Sequence, residues 1–392
     1  DSSIRDDVKA LKKKFGGAPR RTEISADEVV EHSREDLTPH RDVVVTISQR
    51  GYIKMIPVNT YKLQHRGGKG VRGMGTRDND ALQDLLVADT HDTLLFFTDK
   101  GRVYPLRCFD LPDDTSRTAR GVPLMNLIPL AEGERPSAVL PINGINPDKK
   151  LILVTRKGEL KSVHFRHISK IRAKGLIIMK LKKGDEIAAA CTVPTHNQTQ
   201  QGTSTYQLPL DSQPSGEDKV TPDQDNNPDD VIIVTDIGQS IRFSANEITS
   251  RSRGAGGVKG IKLQRGDRVV SMDVVDPQAF LLTISKGGFG KLSALAYYRR
   301  QSRRGVGIRT FRANQKTGRV AMAKVIKDST EQEILLISAS AQVIRINLSD
   351  LKSRGRNTSG LILWRDKEPE DYLVSLACLP DRANDPPVET ND

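Results

Sequence analysis

The sequence predicts an all-β fold: a propeller-like array of six four-stranded antiparallel blades, preceded by a short helical segment. From about Asp42 onward, short β-branched runs are broken by Gly, Asn and Asp, which is typical of many short strands. One turn pattern recurs six times at intervals near 50 residues, and a second glycine follows each turn at a nearly constant distance. Repeats of this length, each with several strands, indicate propeller blades.

The first 40 residues are expected to be helical. Apolar residues spaced three or four apart define one helical face, and they are Ile4, Val8, Leu11 and Phe15. The pair Gly16-Gly17 ends this pattern, and the capping-box sequence Ser25-Ala26-Asp27-Glu28 indicates the start of a second helix. Because no signal-peptide pattern follows Asp1, we expect the chain to be one part of a longer protein.

Each repeat contains an apolar run, a Ser or Thr, two further residues, a Gly and then an alternating strand. The six turns are Ser48–Gly51, Thr98–Gly101, Thr155–Gly158, Thr235–Gly238, Ser285–Gly288 and Ser338–Ala341. Glycine suits a tight hairpin turn that needs a positive φ, and Ala341 is the one departure. The longest interval contains residues 195–230, whose acidic, Gln- and Pro-rich composition predicts a disordered insert.

A second marker is a Gly followed by an aliphatic residue. It occurs at Gly70-Val71, Gly121-Val122, Gly175-Leu176, Gly260-Ile261, Gly307-Ile308 and Gly360-Leu361. These glycines lie 19, 20, 17, 22, 19 and 19 residues after the first marker of their repeats. Two markers that agree in every repeat predict one structural unit repeated six times between residues 41 and 380. The Trp-Asp and Gly-His pairs of WD40 propellers are missing.

The positive charge is concentrated in the repeats. The chain has 61 Lys and Arg against 49 Asp and Glu, a net charge of +12. Residues 1–40, 195–230 and the tail 381–392 have net charges of −1, −6 and −3, which leaves +22 on the other 304 residues. A body this basic is expected to bind a polyanion, most simply nucleic acid. A merely soluble basic protein is the alternative interpretation.

A basic loop lies between the two markers of every repeat. Besides Arg66 and Lys69 of the first repeat, these loops contain Arg117, Arg120, Lys170, Arg172, Lys174, Arg251, Arg253, Lys259, Arg299, Arg300, Arg303, Arg304, Lys352, Arg354 and Arg356. One such cluster alone would be an ordinary solvated loop. Because equivalent repeats place equivalent loops at matching positions, we expect one basic rim that follows a phosphate backbone and bends it. Arg, Lys, Ser and Gly favour phosphate contacts over base reading.

The loop of the first repeat contains a denser motif. Its seven residues are Gln64, His65, Arg66, Gly67, Gly68, Lys69 and Gly70. Glycines let backbone amides approach an anion, and the flanking cations hold it. The motif is not a Walker A loop, because Gly70 follows Lys69 where Ser or Thr is required.

This heptapeptide resembles the gyrase A box, and the six repeats resemble the C-terminal β-pinwheel domain of the DNA gyrase A subunit. The likeness extends to Phe15-Gly16-Gly17 and Arg20-Arg21-Thr22-Glu23-Ile24, which are similar to the segment leaving the cleavage core's coiled coil. It covers nearly the whole chain outside 195–230 and the last dozen residues. His65 replaces the usual basic residue, so one formal charge is absent from the box at neutral pH.

The resemblance implies a DNA-wrapping domain. It assigns residues 1–40 to a helical connector, 41–380 to the six-bladed β-pinwheel and 381–392 to an acidic tail. It implies that double-stranded DNA wraps around the rim in a right-handed sense, so that ATP-dependent strand passage introduces negative supercoils. It also implies that the box joins the first blade to the last while touching DNA. The implied partners are the cleavage core of the gyrase A subunit and the gyrase B subunit in an A2B2 heterotetramer, with ATP and Mg²⁺ used by the holoenzyme.

Catalytic motifs are not found in the sequence. The resembled enzyme cuts DNA with a tyrosine preceded by arginine, and none of the seven tyrosines follows an arginine. His164 and His167 lie three residues apart with no nearby acid or thiol to complete a metal set. Neither a Gly-x-Ser-x-Gly elbow nor a P-loop occurs. We therefore expect a binding module without catalytic residues, metal or cofactor of its own, within a parent that is an enzyme.

Two other functions stay open at this stage. Topoisomerase IV relatives have degraded boxes and often fewer blades, which makes the gyrase resemblance the better one. A propeller scaffold for protein interactions would be expected to gather apolar or aromatic residues on one face. No stretch approaches the roughly 18 uncharged apolar residues of a membrane span, and three widely spaced cysteines suit a reducing compartment. We expect a cytoplasmic, nucleoid-associated protein.

Overall fold

The computed structural model describes residues 2–16, 34–68, 70–75, 80–113, 116–168, 171–195, 229–327, 332–365 and 370–380. The chain divides into two compact units, Asp1–Leu37 and Thr38–Asp392. In the first unit, helix α1 spans Ser2–Phe15, which confirms the first predicted helix. The apolar face of α1 is exposed, with Ile4 67% and Phe15 71% accessible. The predicted second helix, the tail 381–392, Lys69 and Lys170 lie outside the described residues.

The second unit begins three residues earlier than predicted. The Thr90 hydroxyl donates to the Pro39 carbonyl at 2.7 Å, and the His91 ring bonds the Thr38 carbonyl at 2.7 Å. His40 also stacks on His91, with ring centroids 3.7 Å apart. Residues 38–40 are therefore attached to the first blade rather than to the helical connector.

The described part of this unit contains 24 strands. They are β1 Asp42–Ser48, β2 Tyr52–Pro57, β3 Val71–Arg72, β4 Leu82–Asp89, β5 Thr93–Thr98, β6 Arg102–Arg107, β7 Val122–Pro123, β8 Pro136–Ile142, β9 Lys149–Thr155, β10 Glu159–His164, β11 Leu176–Ile177, β12 Ile187–Pro194, β13 Asp230–Thr235, β14 Gln239–Ser244, β15 Val258–Lys259, β16 Val269–Val274, β17 Phe280–Ser285, β18 Phe289–Ala294, β19 Ile308–Arg309, β20 Val320–Ile326, β21 Glu333–Ser338, β22 Gln342–Asn347, β23 Leu361–Ile362 and β24 Leu373–Cys378.

The strands form six four-stranded antiparallel blades, as predicted. From blade 1 to blade 6, their orders are β4-β1-β2-β7, β8-β5-β6-β11, β12-β9-β10-β15, β16-β13-β14-β19, β20-β17-β18-β23 and β24-β21-β22-β3. Each blade takes three strands from its own repeat and a short outer strand from the next repeat. The ring closes because β3 of the first repeat pairs with β22, where Val71 lies opposite Val343 and Arg72 opposite Gln342.

Six hydrophobic clusters lie between successive blades. Alternate residues of a strand point to opposite faces of its sheet. In β1, Val43 and Val45 therefore pack toward blade 2, whereas Val44 packs toward blade 6. Because both faces of each blade are covered, the first hairpin strand of each blade carries a continuous apolar run, such as Leu151–Val154 in β9. Trp364, the only tryptophan of the sequence, is buried between blades 5 and 6.

The first marker forms the same hairpin turn in all six repeats. The Ser or Thr hydroxyl accepts a hydrogen bond from the backbone N–H four residues later, at 3.1–3.3 Å. The last residue of the marker has a positive φ in every repeat, between 67° at Ala341 and 88° at Gly238. The expectation that this position needs the left-handed region is confirmed, and Ala341 adopts it despite its side chain.

The predicted second glycine of the fourth repeat, Gly260, is wrong. The aliphatic residue after the glycine pairs with the second residue of the neighbouring hairpin strand, as Val122 does with Ile53. In the fourth repeat the residue that pairs with Leu160 is Val258, so the equivalent glycine is Gly257 and not Gly260. A Cβ at Gly257 would lie 2.9 Å from the Leu160 carbonyl oxygen, since strand and glycine pack closely there. Gly257 follows Gly238 by 19 residues, which removes the outlying value of 22.

The boundary of the acidic insert also changes. Asp230 is the first residue of β13 and is fully buried, and the Asp229 carbonyl accepts from the Ala245 N–H at 2.9 Å. Asp229 and Asp230 therefore belong to blade 4, whereas residues 196–228 lie outside the described part. Among the described residues, no helix has the length and apolar character that crossing a membrane requires.

Alanine substitutions at two turn glycines can separate the cost of a positive φ from the cost of a steric clash. Gly51 has a φ of +79° and an added Cβ would meet nothing within 4 Å, whereas at Gly101 (φ +70°) it would lie 2.0 Å from the Met179 carbonyl oxygen. We expect Gly51→Ala to lower the free energy of unfolding by about 1 kcal/mol and Gly101→Ala by about 2 kcal/mol more. Equilibrium urea unfolding measures both. Equal losses would contradict the packing argument.

Candidate nucleic-acid interface

The six basic loops lie along the outer edges of the blades. The inner strands β4, β8, β12, β16, β20 and β24 contact inner strands of other blades, so the short strands at the opposite sheet edge are peripheral. Each loop leads to a short strand and runs beside the second hairpin strand of the preceding blade. Backbone N–H groups of Arg251, Gln301 and Arg354 donate to that strand at 2.8–3.1 Å. We call these six equivalent loops the rim.

Most of the predicted rim cations are exposed. Those accessible in the described part are Arg66, Arg120, Arg172, Lys174, Arg251, Arg253, Lys259, Arg299, Arg304, Lys352 and Arg354. Arg304 has a φ of +75°, which is unfavourable for any residue other than glycine. These cations belong to all six loops, so the structure brings together side chains that are distant in sequence.

Four predicted rim arginines are half-buried: Arg117, Arg300, Arg303 and Arg356. The Arg303 guanidinium donates to the Lys259 carbonyl at 3.0 Å, and that of Arg356 to the Arg309 carbonyl at 3.1 Å. Arg300 differs most, because its guanidinium pairs with the carboxylate of Asp230, which is wholly buried. Arg242 pairs with the same carboxylate at 2.9 Å. Arg300 therefore contributes to the attachment of its loop to blade 4.

The described residues of the heptapeptide, 64–68 and 70, lie at the seam where the first repeat meets the last. The Gln64 N–H donates to the Arg345 carbonyl at 2.8 Å, and the Gly67 N–H donates to the Leu363 carbonyl at 2.6 Å. The Gln64 side-chain oxygen accepts from the Gly70 N–H at 3.3 Å, which closes the peptide into a turn. A Cβ at Gly70 would lie 2.7 Å from the Trp364 ring, so glycine is required for this close approach. The expected link between first and last blades is thus present.

An open groove of about 560 Å³ lies beside this peptide. The cationic side chains of Arg66 and Arg365 line it together with Phe289 and Leu361. No group of three or more His, Cys, Asp and Glu side chains within the described ranges could hold a metal ion. The guanidinium groups of this groove and the exposed guanidinium and ammonium groups of the rim can bind anions.

Comparison with known proteins decides the family. The sequence matches the family described as "DNA gyrase C-terminal domain, beta-propeller" over residues 42–89, 92–143, 149–192, 229–276, 279–326 and 332–380. The chain belongs to this family. Its six matched segments coincide with the six repeats of this chain.

Several curated relatives are named as the A subunit of DNA gyrase. The chain is 35% identical over 384 residues to that of Dehalogenimonas lykanthroporepellens, covering 96% of this chain and 43% of the relative. Identity to the Ureaplasma parvum protein is 36% (93% and 39% covered), and to the Salmonella typhimurium protein 31% (99% and 40% covered). The chain thus spans about two fifths of the length of these relatives.

Solved structures share the fold. A DNA gyrase A C-terminal domain aligns with a TM-score of 0.72 at 24% identity, covering 87% of this chain and all of the other. The C-terminal domain of a DNA topoisomerase IV aligns with a TM-score of 0.58 at 22% identity, covering 87% and 94%. Both likenesses support the arrangement of blades.

The structure adds two exposed cations beside the rim that the loop pattern missed, Arg72 and Arg309. In this gyrase C-terminal domain, Arg72, Lys259 and Arg309 each occupy the second position of a short outer strand and are exposed. Each lies opposite the first residue of the neighbouring hairpin strand, as Arg309 lies opposite Gln239. Of the three, only Lys259 was predicted. Their common sequence pattern is a cation directly after the Gly-aliphatic pair, a position that lies beyond the loops themselves.

Proposed function

We propose that this domain binds double-stranded DNA along the rim and bends it in one sense around the blades. The observation that supports this proposal is the set of exposed Lys and Arg side chains at equivalent outer positions of all six repeats. Phosphate contacts from Lys and Arg release counterions and carry no sequence information. A path of such contacts around a ring favours bent DNA over straight DNA, because bending brings more phosphates within reach.

The domain is proposed to act within the A subunit of a DNA gyrase. In that setting DNA wrapped on the rim would present one segment for passage through a gate cut in another. The assembly would contain the A-subunit cleavage core and the gyrase B subunit in an A2B2 heterotetramer, in the cytoplasm at the nucleoid. ATP and Mg²⁺ are assigned to the holoenzyme, and this domain contributes the handedness of the wrap that makes strand passage introduce negative supercoils.

The heptapeptide favours gyrase over the other candidates. The topoisomerase IV alternative is disfavoured by the complete set of glycines in residues 64–70. A protein-interaction scaffold is disfavoured because the described rim presents cations in every repeat rather than an apolar or aromatic face. His65 is exposed and leaves the box with two formal cations, Arg66 and Lys69.

The test is to seal nicked circular DNA in the presence of the domain and to measure the linking number after removing the protein. We expect a positive shift that grows with the protein-to-DNA ratio, because right-handed wrapping is trapped by ligation. Raising the salt concentration should abolish the shift as binding weakens. DNA that is bound, as shown by a mobility shift, but sealed without any change of linking number would refute chiral wrapping.

A further inference from the structure

Three buried lysines lie beneath the rim. Lys54, Lys161 and Lys291 each occupy the third position of the second hairpin strand, in blades 1, 3 and 5, and each is only 1% exposed. A buried lysine is rare unless its ammonium group is paired, because removing it from water is costly. Each of these three ammonium groups reaches a rim loop.

Each ammonium group binds main-chain carbonyls of the loop that covers it. Lys161 Nζ donates to the carbonyls of Arg253 and Ala255 at 2.5 and 2.7 Å. Lys54 Nζ donates to Ser116 and Ala119 at 3.2 and 3.1 Å, and also to Arg117. An ammonium group has three donors and no acceptor, so one lysine can hold several carbonyls of a tight loop at once.

Lys291 repeats this arrangement beneath the sixth loop. Its Nζ donates to the Gly355 carbonyl at 2.6 Å, to the Arg356 carbonyl and to the Thr358 hydroxyl at 3.3 Å. Blades 4 and 6 instead use Arg242 and Arg345, whose guanidinium groups bind the carbonyls of Tyr298 and Tyr61, in the segments that lead into the fifth and first loops. The second, fourth and sixth loops are therefore the ones shaped around a buried ammonium group.

Burial makes the charged form of Lys161 less favourable than it is in water. Burial, together with nearby Arg251, lowers the pKa of Lys161 to about 8. The unfolded chain then binds this proton more tightly than the folded domain does, so the charged form reduces the stability of the fold at neutral pH. Hydrogen bonds from Nζ to the carbonyls of Arg253 and Ala255 offset part of this cost. The charge also adds to the potential of the rim.

We propose that Lys54, Lys161 and Lys291 are positioning residues for DNA binding, which set the shape of the second, fourth and sixth loops and thereby aim their exposed arginines at phosphates. This inference rests on the proposed function of the rim. Lys161 is too deeply buried to touch a phosphate itself, so it acts through Arg251 and Arg253, the exposed arginines of its loop.

The test compares Lys161→Met with Lys149→Met, which removes one exposed charge from the same blade outside the rim. Affinity for a duplex long enough to reach several loops is measured over a range of salt concentrations. We expect Lys161→Met to weaken binding about tenfold and to reduce the salt slope by about two, one for each misplaced arginine. Lys149→Met should leave the salt slope unchanged.

A double-mutant cycle distinguishes positioning from a general loss of structure. In the Arg251→Ala/Arg253→Ala background, Lys161→Met is expected to have no further effect on DNA affinity. An equal further loss in that background would overturn the proposal. If Lys161→Met lowers the melting temperature markedly, its effect on binding cannot be separated from unfolding. The proposal is then tested by the same cycle in the sixth loop, with Lys291→Met and Arg354→Ala.

Hydrogen exchange measured without DNA tests whether Lys161 shapes its loop, and this test does not depend on the proposed function. The amides of residues 250–257 should exchange faster in Lys161→Met than in the unmodified domain, with other blades unchanged. Unaltered protection would overturn the inference. If the unmodified domain fails to bind DNA, the proposed function fails, while the exchange experiment still reports whether the lysine shapes the loop.

Discussion

Replacing Arg66 and Lys69 with alanine is expected to reduce the linking-number shift of sealed circular DNA far more than it reduces DNA affinity. The two cations belong to the heptapeptide 64–70, whose described residues Gln64 and Gly67 bond the last repeat where the ring closes. Removing two phosphate contacts should weaken binding by about tenfold at most, since the other five loops keep their cations. A gap at the seam, however, interrupts the path of DNA around the ring.

The matched control is Lys352→Ala/Arg354→Ala, which removes the same charge from the exposed loop of the sixth repeat. Both double variants should lose similar affinity in a filter-binding or mobility-shift titration. Only the seam variant should lose most of the linking-number shift, measured by two-dimensional gel electrophoresis at protein concentrations that saturate the DNA. A proportional loss of shift in both variants would mean that the position of the charge is unimportant.

The hairpins of the blades could be predicted because their determinants are local. The Ser or Thr hydroxyl, the positive φ three residues later and the apolar runs on both sides all lie within one hairpin. These features recur at every repeat, so even Ala341 could be recognised as the equivalent of a glycine. The four-stranded blade and the number of blades then followed from the repeat itself.

The exchange of short strands between blades was not predictable from spacing. Which glycine of the fourth repeat is equivalent to Gly121 depends on a pairing between β15 and β10, whose partners are nearly 100 residues apart in sequence. Gly260 fits the sequence pattern because it precedes an aliphatic residue, but Gly257 does so equally. Only the pairing of Val258 with Leu160 distinguishes the two glycines. A strand register depends on both paired segments, so it cannot be read from one of them.

The identity of the rim cations was only partly predictable for a similar reason. The sequence pattern does not distinguish an exposed Arg or Lys of a loop from a buried one. Arg300, for example, is half-buried against the carboxylate of Asp230. From the sequence alone, Asp230 falls within the acidic insert, because its neighbours are acidic and polar. Conversely, Lys161 and Lys291 lie in apolar strands and gave no sign of contacting a loop. Whether a cation faces solvent or a carbonyl is decided by packing between repeats.

Arg345→Ala is expected to lower the free energy of unfolding by about 3–5 kcal/mol and to open the seam of the ring. The Arg345 guanidinium is 5% exposed, pairs with Glu333 within blade 6 and donates to the Tyr61 carbonyl at 2.7 Å. Its removal leaves a nearly buried carboxylate and a main-chain carbonyl without this partner. The contact spans 284 positions of sequence, so no neighbouring peptide bond holds blade 6 against the first repeat in its place.

Two controls separate the seam from ordinary destabilisation. Arg242→Ala removes an equivalent buried guanidinium, paired with Asp230 and the Tyr298 carbonyl, from a junction between consecutive repeats. Arg312→Ala removes an exposed one. Calorimetry should show a large loss of unfolding free energy for Arg345→Ala and Arg242→Ala and almost none for Arg312→Ala. Hydrogen exchange should show faster exchange of the β3 amides in Arg345→Ala only, since β3 is the strand that closes the ring. Protected β3 amides in that variant would show that the short ladder with β22 closes the ring without the arginine.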